Sequence, residues 1–364
     1  RSMSNITMTK KVHNYSAGPC ILPAEVMQKA AEACIEFNGS GLSLLEMSHR
    51  SSAFVDVMEK ARALVKELLH VPAGYQVLFL QGGASLGFYL SAMNFMKKDG
   101  KGAYVNTGAW AAGAIKEAKK LGKVEVLASS EDKNFSYIPK GYTIPSDADY
   151  LHLTTNNTIF GTQFHDIPSC PIPLISDMSS DIFSKTIDVS KFDLIYAGAQ
   201  KNMGPAGSTV YIVKEDALGK TGRDIPSMLD LPLQISKDSM YNTPPVFPIY
   251  VAMLNLEWLK DFGGVPAIQK RNEAKAALLY GEVDRNPLFK GVVATEDRSL
   301  MNPTFVLNDE ALTARWDKMW KEAGISGIAG HRSVGGYRAS MYNALPLESV
   351  QVLVNCMKEL EKGA

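Results

Sequence analysis

Leu194-Ile-Tyr-Ala-Gly-Ala-Gln-Lys201-Asn-Met-Gly-Pro-Ala-Gly207 decides how this chain is read. An apolar run ends in small residues, presents one lysine, and enters a Gly/Pro-rich turn. That is how a strand holds a lysine at the rim of a sheet with little bulk around it. A lysine held so can form a reversible carbon–nitrogen bond with an aldehyde cofactor. Lysines after strands are also common and mostly solvated, so the company this one keeps must decide.

The run belongs to a series. Short apolar stretches at 76–80, 102–106, 124–127, 150–154, 172–176, 194–196 and 209–213 predict strands. Gly82-Gly83 leads into a helix from Ala84, and Thr107-Gly108 into another over 109–120. Upstream, helical spacing predicts helices over 24–37, stopped by Asn38-Gly39-Ser40-Gly41, and over 52–69. Strands alternating with helices imply an α/β fold whose mainly parallel sheet is flanked by helices on both faces. Ligands in such sheets sit beyond the carboxyl ends of the strands. Gly83, Asn106, Asn157, Asp177 and Lys201 all fall at or just past such ends.

After Pro248 the rhythm changes. Long helices are expected over 248–262 and 265–285, then an extended 301–307, a helix near 310–322, a glycine-rich loop at 327–336, and a last helix over 347–362. This reads as a smaller α+β C-terminal domain. The expected division is 21–268 for the large, cofactor-binding domain and 269–364, with the N-terminal segment 1–20, for the small one. Arg1-Ser-Met3 reads as an expression scar ahead of a native start.

The 364 residues suit about two domains at roughly 150 residues each, and 46% hydrophobic residues support a large core. A formal net charge of zero argues against nucleic acid or an anionic membrane surface as the main partner. No apolar run reaches the roughly 18 residues that span a bilayer, and no leader pattern opens the chain. Cys20, Cys34, Cys170 and Cys356 are scattered, with no metal-ligand spacing. They read as buried free thiols in a reducing compartment. The expected location is the cytoplasm.

Several residues could carry chemistry. Asp177, directly after an apolar strand, could hold a cation such as a pyridinium nitrogen in a cleft, or cap a following helix. Gly82-Gly-Ala-Ser85 between strand and helix suits a phosphate, or is ordinary punctuation. Trp110 could stack on a planar ring or fill core. His49-Arg50-Ser51 and His331-Arg332-Ser333 repeat one tripeptide, and Arg338 follows in Gly335-Gly-Tyr-Arg338. Arginine grips carboxylate or phosphate through paired hydrogen bonds. Lys201 must be neutral to attack an aldehyde, and only about one ordinary lysine in 2,500 is neutral at pH 7.

Taken together, Asn14-Tyr-Ser-Ala-Gly-Pro19, Met47-Ser-His-Arg50, Gly82-Gly-Ala-Ser85, Trp110, Asn157-Thr158, Ser176-Asp-Met-Ser-Ser-Asp181, Ala199-Gln-Lys201-Asn-Met-Gly-Pro205, Tyr241-Asn-Thr-Pro-Pro245 and Gly330–Ser340 resemble the phosphoserine aminotransferase family. These are fold-type I enzymes of the class-V aminotransferases, and they use pyridoxal 5′-phosphate. The resemblance covers nearly the whole chain. It implies that Lys201 carries the cofactor and shuttles the proton, and that Asp177 pairs with the ring nitrogen. Trp110 would stack on the ring and Thr158 would hydrogen-bond near it. Ala84, Ser85 and Gln200 would hold the phosphate, with Asn242 and Thr243 reaching it from a second subunit, so a homodimer with shared sites is implied. Arg338 would hold the substrate α-carboxylate. His331, Arg332, His49 and Arg50 would receive the distal anion, with Ala17 close by. Thr154-Thr-Asn-Asn157 departs from the family's usual form, where an acidic residue often precedes the threonine; Thr158 stays in register.

The implied reaction is a ping-pong exchange of an amino group between glutamate and 3-phosphohydroxypyruvate, giving 2-oxoglutarate and O-phosphoserine in serine biosynthesis. The phosphorylated four-carbon acid of pyridoxine synthesis is a related substrate. The alternative is another fold-type I enzyme acting on a small anionic amino acid. A desulfurase would need a nucleophilic cysteine in a polar mobile loop, and none is present. A nicotinamide oxidoreductase would need the Gly-x-Gly-x-x-Gly fingerprint, which is missing. A non-enzymatic anion-binding module would have no use for Lys201.

Overall fold

The computed structural model describes residues 10–364; Arg1-Ser-Met3 and the rest of 1–9 lie outside them. A seven-stranded sheet organises the larger part of the chain. Its strands are β1 (Tyr75–Leu80), β2 (Lys101–Asn106), β3 (Lys123–Ser129), β4 (Tyr150–Thr154), β5 (Leu174–Asp177), β6 (Leu194–Gly198) and β7 (Thr209–Lys214). They lie in the order β1-β7-β6-β5-β4-β2-β3. Only β7 runs antiparallel to its neighbours; the other pairs are parallel. The carboxyl ends of six strands therefore open on one rim.

Both faces are covered, which is why most of these strands are apolar almost throughout. Val77 and Phe79 of β1 face a core with Phe54, Met58 and Val65 of the helix Ser52–Leu69 and Leu256 of the helix Val246–Phe262. Leu78 and Leu80 face the opposite core with Phe88, Phe95 and Ile115 from the helices Gly83–Phe95 and Ala109–Ala118. Edge strand β3 has no fully buried residue.

A third core lies toward the C-terminus, around Trp316, Tyr337, Leu353 and Met357. It is backed by a three-stranded antiparallel sheet of β8 (Phe289–Gly291), β9 (Thr304–Leu307) and β10 (Tyr337–Arg338). The helix Gly264–Arg285 connects the cores: Val265 and Ile268 pack with the first, Leu279 and Val283 with the third. His13–Asn14 pairs in parallel with Ile325–Ser326, and Tyr15 packs in that third core.

Five expectations change. The first helix is Ala24–Ile35, ending before Phe37 because Glu36 is already extended, with φ −154° and ψ 134°. Strand β5 begins at Leu174 rather than 172, and β9 at Thr304 rather than 301; Pro173 and Pro303 precede them, and proline has no N–H for a ladder. The helix expected near 310–322 opens with a tight turn, and its α-helical part is Thr313–Glu322. All four cysteines are free, but each is only partly buried. No helix among the described residues is long and apolar enough to cross a membrane.

Candidate active site

A cavity of about 160 Å³ opens on the common rim. Ala84, Ser85, Trp110, Thr158, Asp177, Gln200 and Lys201 all line it, joined by Gly83, Phe88, Thr154, Asn156, Ser179 and Ser180. A roomier cavity of about 530 Å³ lies between residues 138–144 and 163–171. Its buried carboxylate, Asp297, is already held by the Ile138 N–H and Lys140, and none of the expected site residues lines it.

Lys201 follows β6 through Ala199 and Gln200. The exposure its side chain keeps faces the cavity it lines. Its Nζ donates to Thr158 Oγ1 at 3.1 Å. Burial pulls its pKa down to about 8; the Arg338 guanidinium pushes the same way, and the Asp177 carboxylate opposes both. At that value about one amine in eleven is neutral at pH 7. The nucleophilic form is thus present before any substrate arrives. Gly18, at φ +137°, packs on the lysine stem: a Cβ built there would sit 3.0 Å from Lys201 Cε.

Asp177 ends β5 and lies in register with Thr154 and Tyr196 on the neighbouring strands. It is 4% exposed. Turns follow it rather than a helix, so the helix-cap alternative falls away. Instead Oδ1 accepts from the Ser179 backbone N–H at 2.9 Å and from Ser179 Oγ at 2.7 Å. Oδ2 accepts from no described residue. Burial raises the carboxyl pKa, while Ser179 and Lys201 favour the charged form. A buried carboxylate with one free oxygen facing a cavity fits a protonated ring nitrogen.

The helix Gly83–Phe95 points its N-terminus at the same space. Gly82 at φ +96° and Gly83 at φ +65° turn the chain from β1 into the helix. The first-turn N–H groups of Ala84 and Ser85 have no intrahelical partner. A Cβ on Gly83 would meet nothing within 4 Å, so the ground before these donors is open. The Ser85 hydroxyl has no partner among the described residues. This donor set suits a phosphate. Trp110 opens the helix Ala109–Ala118 and is 43% exposed, so it is not core. Gln200 folds back over Gly198, where a Cβ would strike its carboxamide.

Arg338, on β10 beside Thr304, reaches Thr158 O with Nη1 at 3.4 Å, and its buried Nε has no partner among the described residues. A buried guanidinium without a counter-ion calls for an anion. Ala17 is beside Lys201 through Gly18, and its carbonyl accepts from Tyr342 Oη at 2.6 Å.

Arg338 and Ala17 adjoin Thr158 and Gly18 without lining the cavity, and the remaining expected residues are not in its wall either. His49 and the exposed Arg50 lie just before the helix Ser52–Leu69. His331, bonded to Ser333 Oγ, and the exposed Arg332 lie in the loop before β10. Asn242 donates to Gln81 Oε1 at 3.3 Å, close to the helix that starts at Gly83 but outside the lining, and Thr243 is exposed. Sequence reasoning overlooked Ser179 and Gly18. The first carries a signal, a serine two residues after the key aspartate; the second reveals itself only through a long-range contact.

The profile of the class-V aminotransferases matches residues 12–353, and the chain belongs to that family. Within it, the chain is 67% identical over 352 residues to the phosphoserine aminotransferase of Flavobacterium psychrophilum, covering 96% of this chain and 99% of the relative. The solved phosphoserine aminotransferase from Bacillus circulans subsp. alkalophilus is 43% identical, with a TM-score of 0.94 over 97% of this chain and 99% of that one. The phosphoserine aminotransferase from Trichomonas vaginalis, solved with PLP bound, is 35% identical, with a TM-score of 0.91 over 96% and 100%.

Proposed function

We propose that this chain moves the amino group of L-glutamate to 3-phosphohydroxypyruvate, giving 2-oxoglutarate and O-phospho-L-serine, the transamination of serine biosynthesis. It is a pyridoxal 5′-phosphate-dependent aminotransferase. The observation that carries the site assignment is the buried pair at the strand rim: Lys201, with its pKa drawn down to about 8, and Asp177, with one oxygen fixed and one free.

Bound there, the cofactor supplies an aldehyde for the amine and a ring that can take up an electron pair. Lys201 is the nucleophile, and its Nζ then carries the proton lost from the substrate α-carbon. Asp177 keeps the ring nitrogen protonated. Ala84 and Ser85, with Gln200, would hold the phosphate, and Trp110 and Thr158 would contact the ring. Arg338 binds the α-carboxylate that both substrates share. His49, Arg50, His331 and Arg332 receive the distal anion, a phosphate in one substrate and a carboxylate in the other, beside Ala17.

Asn242 and Thr243 act across a homodimer interface, on the phosphate of the partner copy. The likeness to the phosphoserine aminotransferases carries this reading; within one copy Asn242 donates to Gln81, next to the helix Gly83–Phe95. The division into a domain of 21–268 and one of 269–364 with 1–20 fits the helix Gly264–Arg285, whose two ends pack in separate cores. A cytoplasmic setting suits four free cysteines.

The test is a visible spectrum of the purified holoenzyme during glutamate addition, with 2-oxoglutarate measured. The band should shift as product appears, and Lys201→Ala should show no multiple turnover. Multiple turnover in that variant would overturn the role of Lys201.

A further inference from the structure

Lys275 lies on the helix Gly264–Arg285 and is 0% exposed. No carboxylate pairs with it among the described residues. Its Nζ instead donates to three backbone carbonyls: Met341 at 3.1 Å, Tyr342 at 2.9 Å and Leu345 at 3.0 Å. An ammonium has three donors, and this cage offers an acceptor to each, against burial and the nearby Arg271 guanidinium, which both draw the Lys275 pKa well below the ordinary lysine value. Burying such a charge is costly unless it is fully bonded, so the contact needs a reason beyond packing.

The segment it grips supplies one. Residues 339–345 follow Arg338 directly. Tyr342 Oη donates to Ala17 O at 2.6 Å, and Ala17 precedes the glycine that packs on the Lys201 stem. The Asn343 N–H donates to Asn202 Oδ1 at 2.9 Å, and Asn202 follows Lys201. Asn272, one turn before Lys275 on the same helix, donates to Asn343 Oδ1 at 2.9 Å. Arg271 donates to Asn343 O. Lys275, with Arg271 and Asn272 beside it on the helix, therefore anchors a turn that follows Arg338 and touches Asn202, next to the nucleophile, and Ala17, next to the glycine packed on its stem.

We propose that Lys275 is a positioning residue for catalysis: its three-carbonyl cage fixes the 339–345 turn so that Arg338 and the segment 17–18 hold their places around Lys201. The proposal rests on the transaminase reading for its kinetic assay only.

The test is Lys275→Ala holoenzyme with and without n-propylammonium, which matches the lost side chain, and with n-propanol as an uncharged filler. KM should rise about tenfold for glutamate and for the oxo acid alike. Propylammonium should recover most of that loss and propanol should not. Hydrogen exchange of the amides at 339–345, read without turnover, should speed up in the variant and slow again with propylammonium. Tyr342→Phe keeps the cage and cuts the tether to Ala17, together with the bond its hydroxyl accepts from Asn302, so it too should raise both KM values. Unchanged KM values and unchanged exchange in Lys275→Ala, equal rescue by propanol, or unchanged KM values in Tyr342→Phe would each overturn the proposal. If Lys275→Ala cannot be purified folded, Lys275→Met, which fills the same space without the amine, takes its place in both measurements. A wild-type enzyme that fails to turn over would sink the transaminase reading instead, leaving the exchange data to judge the cage.

Discussion

Replacing Ser179 with alanine isolates the support beneath Asp177. The Ser179 hydroxyl donates to Asp177 Oδ1 at 2.7 Å and accepts the Gly198 N–H at 3.1 Å. The first bond reaches a charged acceptor and is worth about 1.5–3 kcal/mol. Losing the second leaves a backbone donor at the end of β6 without a partner, at about 1–3 kcal/mol. The Ser179 backbone bond to Asp177 survives. Ser179→Ala should therefore destabilise the apoenzyme by about 2.5–6 kcal/mol at neutral pH. Only part of this depends on pH. Burial already raises the Asp177 carboxyl pKa, and the lost hydroxyl bond favoured the ionised form. As pH falls and the carboxyl takes up a proton, that contribution vanishes and a gap of about 1–3 kcal/mol remains. Urea unfolding of wild type and variant, in a series from neutral pH into the acid range, reads the gap directly. A gap that stays constant across the series, or widens toward acid, would refute the electrostatic support assigned to Ser179.

Gly18→Ala should cost about 1–3 kcal/mol for a side chain at φ +137°, and its Cβ would press on Lys201 Cε from 3.0 Å. Turnover should fall along with stability, and wild-type kcat in a folded variant would contradict that contact. Cofactor uptake by the apoenzyme should quicken with rising pH and level off above about 8, because Lys201 attacks only after losing its proton. A flat stopped-flow profile between neutral and alkaline pH would remove the depressed lysine from the account.

The sheet was legible because most of its strands are buried on both faces and so read as unbroken apolar runs, from Val77-Leu-Phe-Leu80 to Val210-Tyr-Ile-Val213. The weaker edge strand β3, with its charges at Lys123 and Glu125, showed only its centre. The reversal of β7 left no mark, since a buried strand has the same composition in either direction. At the site, Lys201, Asp177 and the Gly82–Ser85 corner stood out because each breaks an apolar rhythm at a strand end. Gly18 and Lys275 did not: one is a glycine among many, the other a lysine on a charged helix, and both matter through partners far along the chain. The outlying residues His49, Arg50, Asn242 and Thr243 lie outside the cavity wall, and of these only Asn242 and Thr243 were expected to act from a second copy.

The central claim is that one amine at the carboxyl end of β6 holds the cofactor. Reduction of the holoenzyme with borohydride, followed by peptide mass mapping, tests it most directly. The account predicts a pyridoxyl adduct on Lys201 alone. An adduct on any other lysine, or none in an active and coloured preparation, would contradict it.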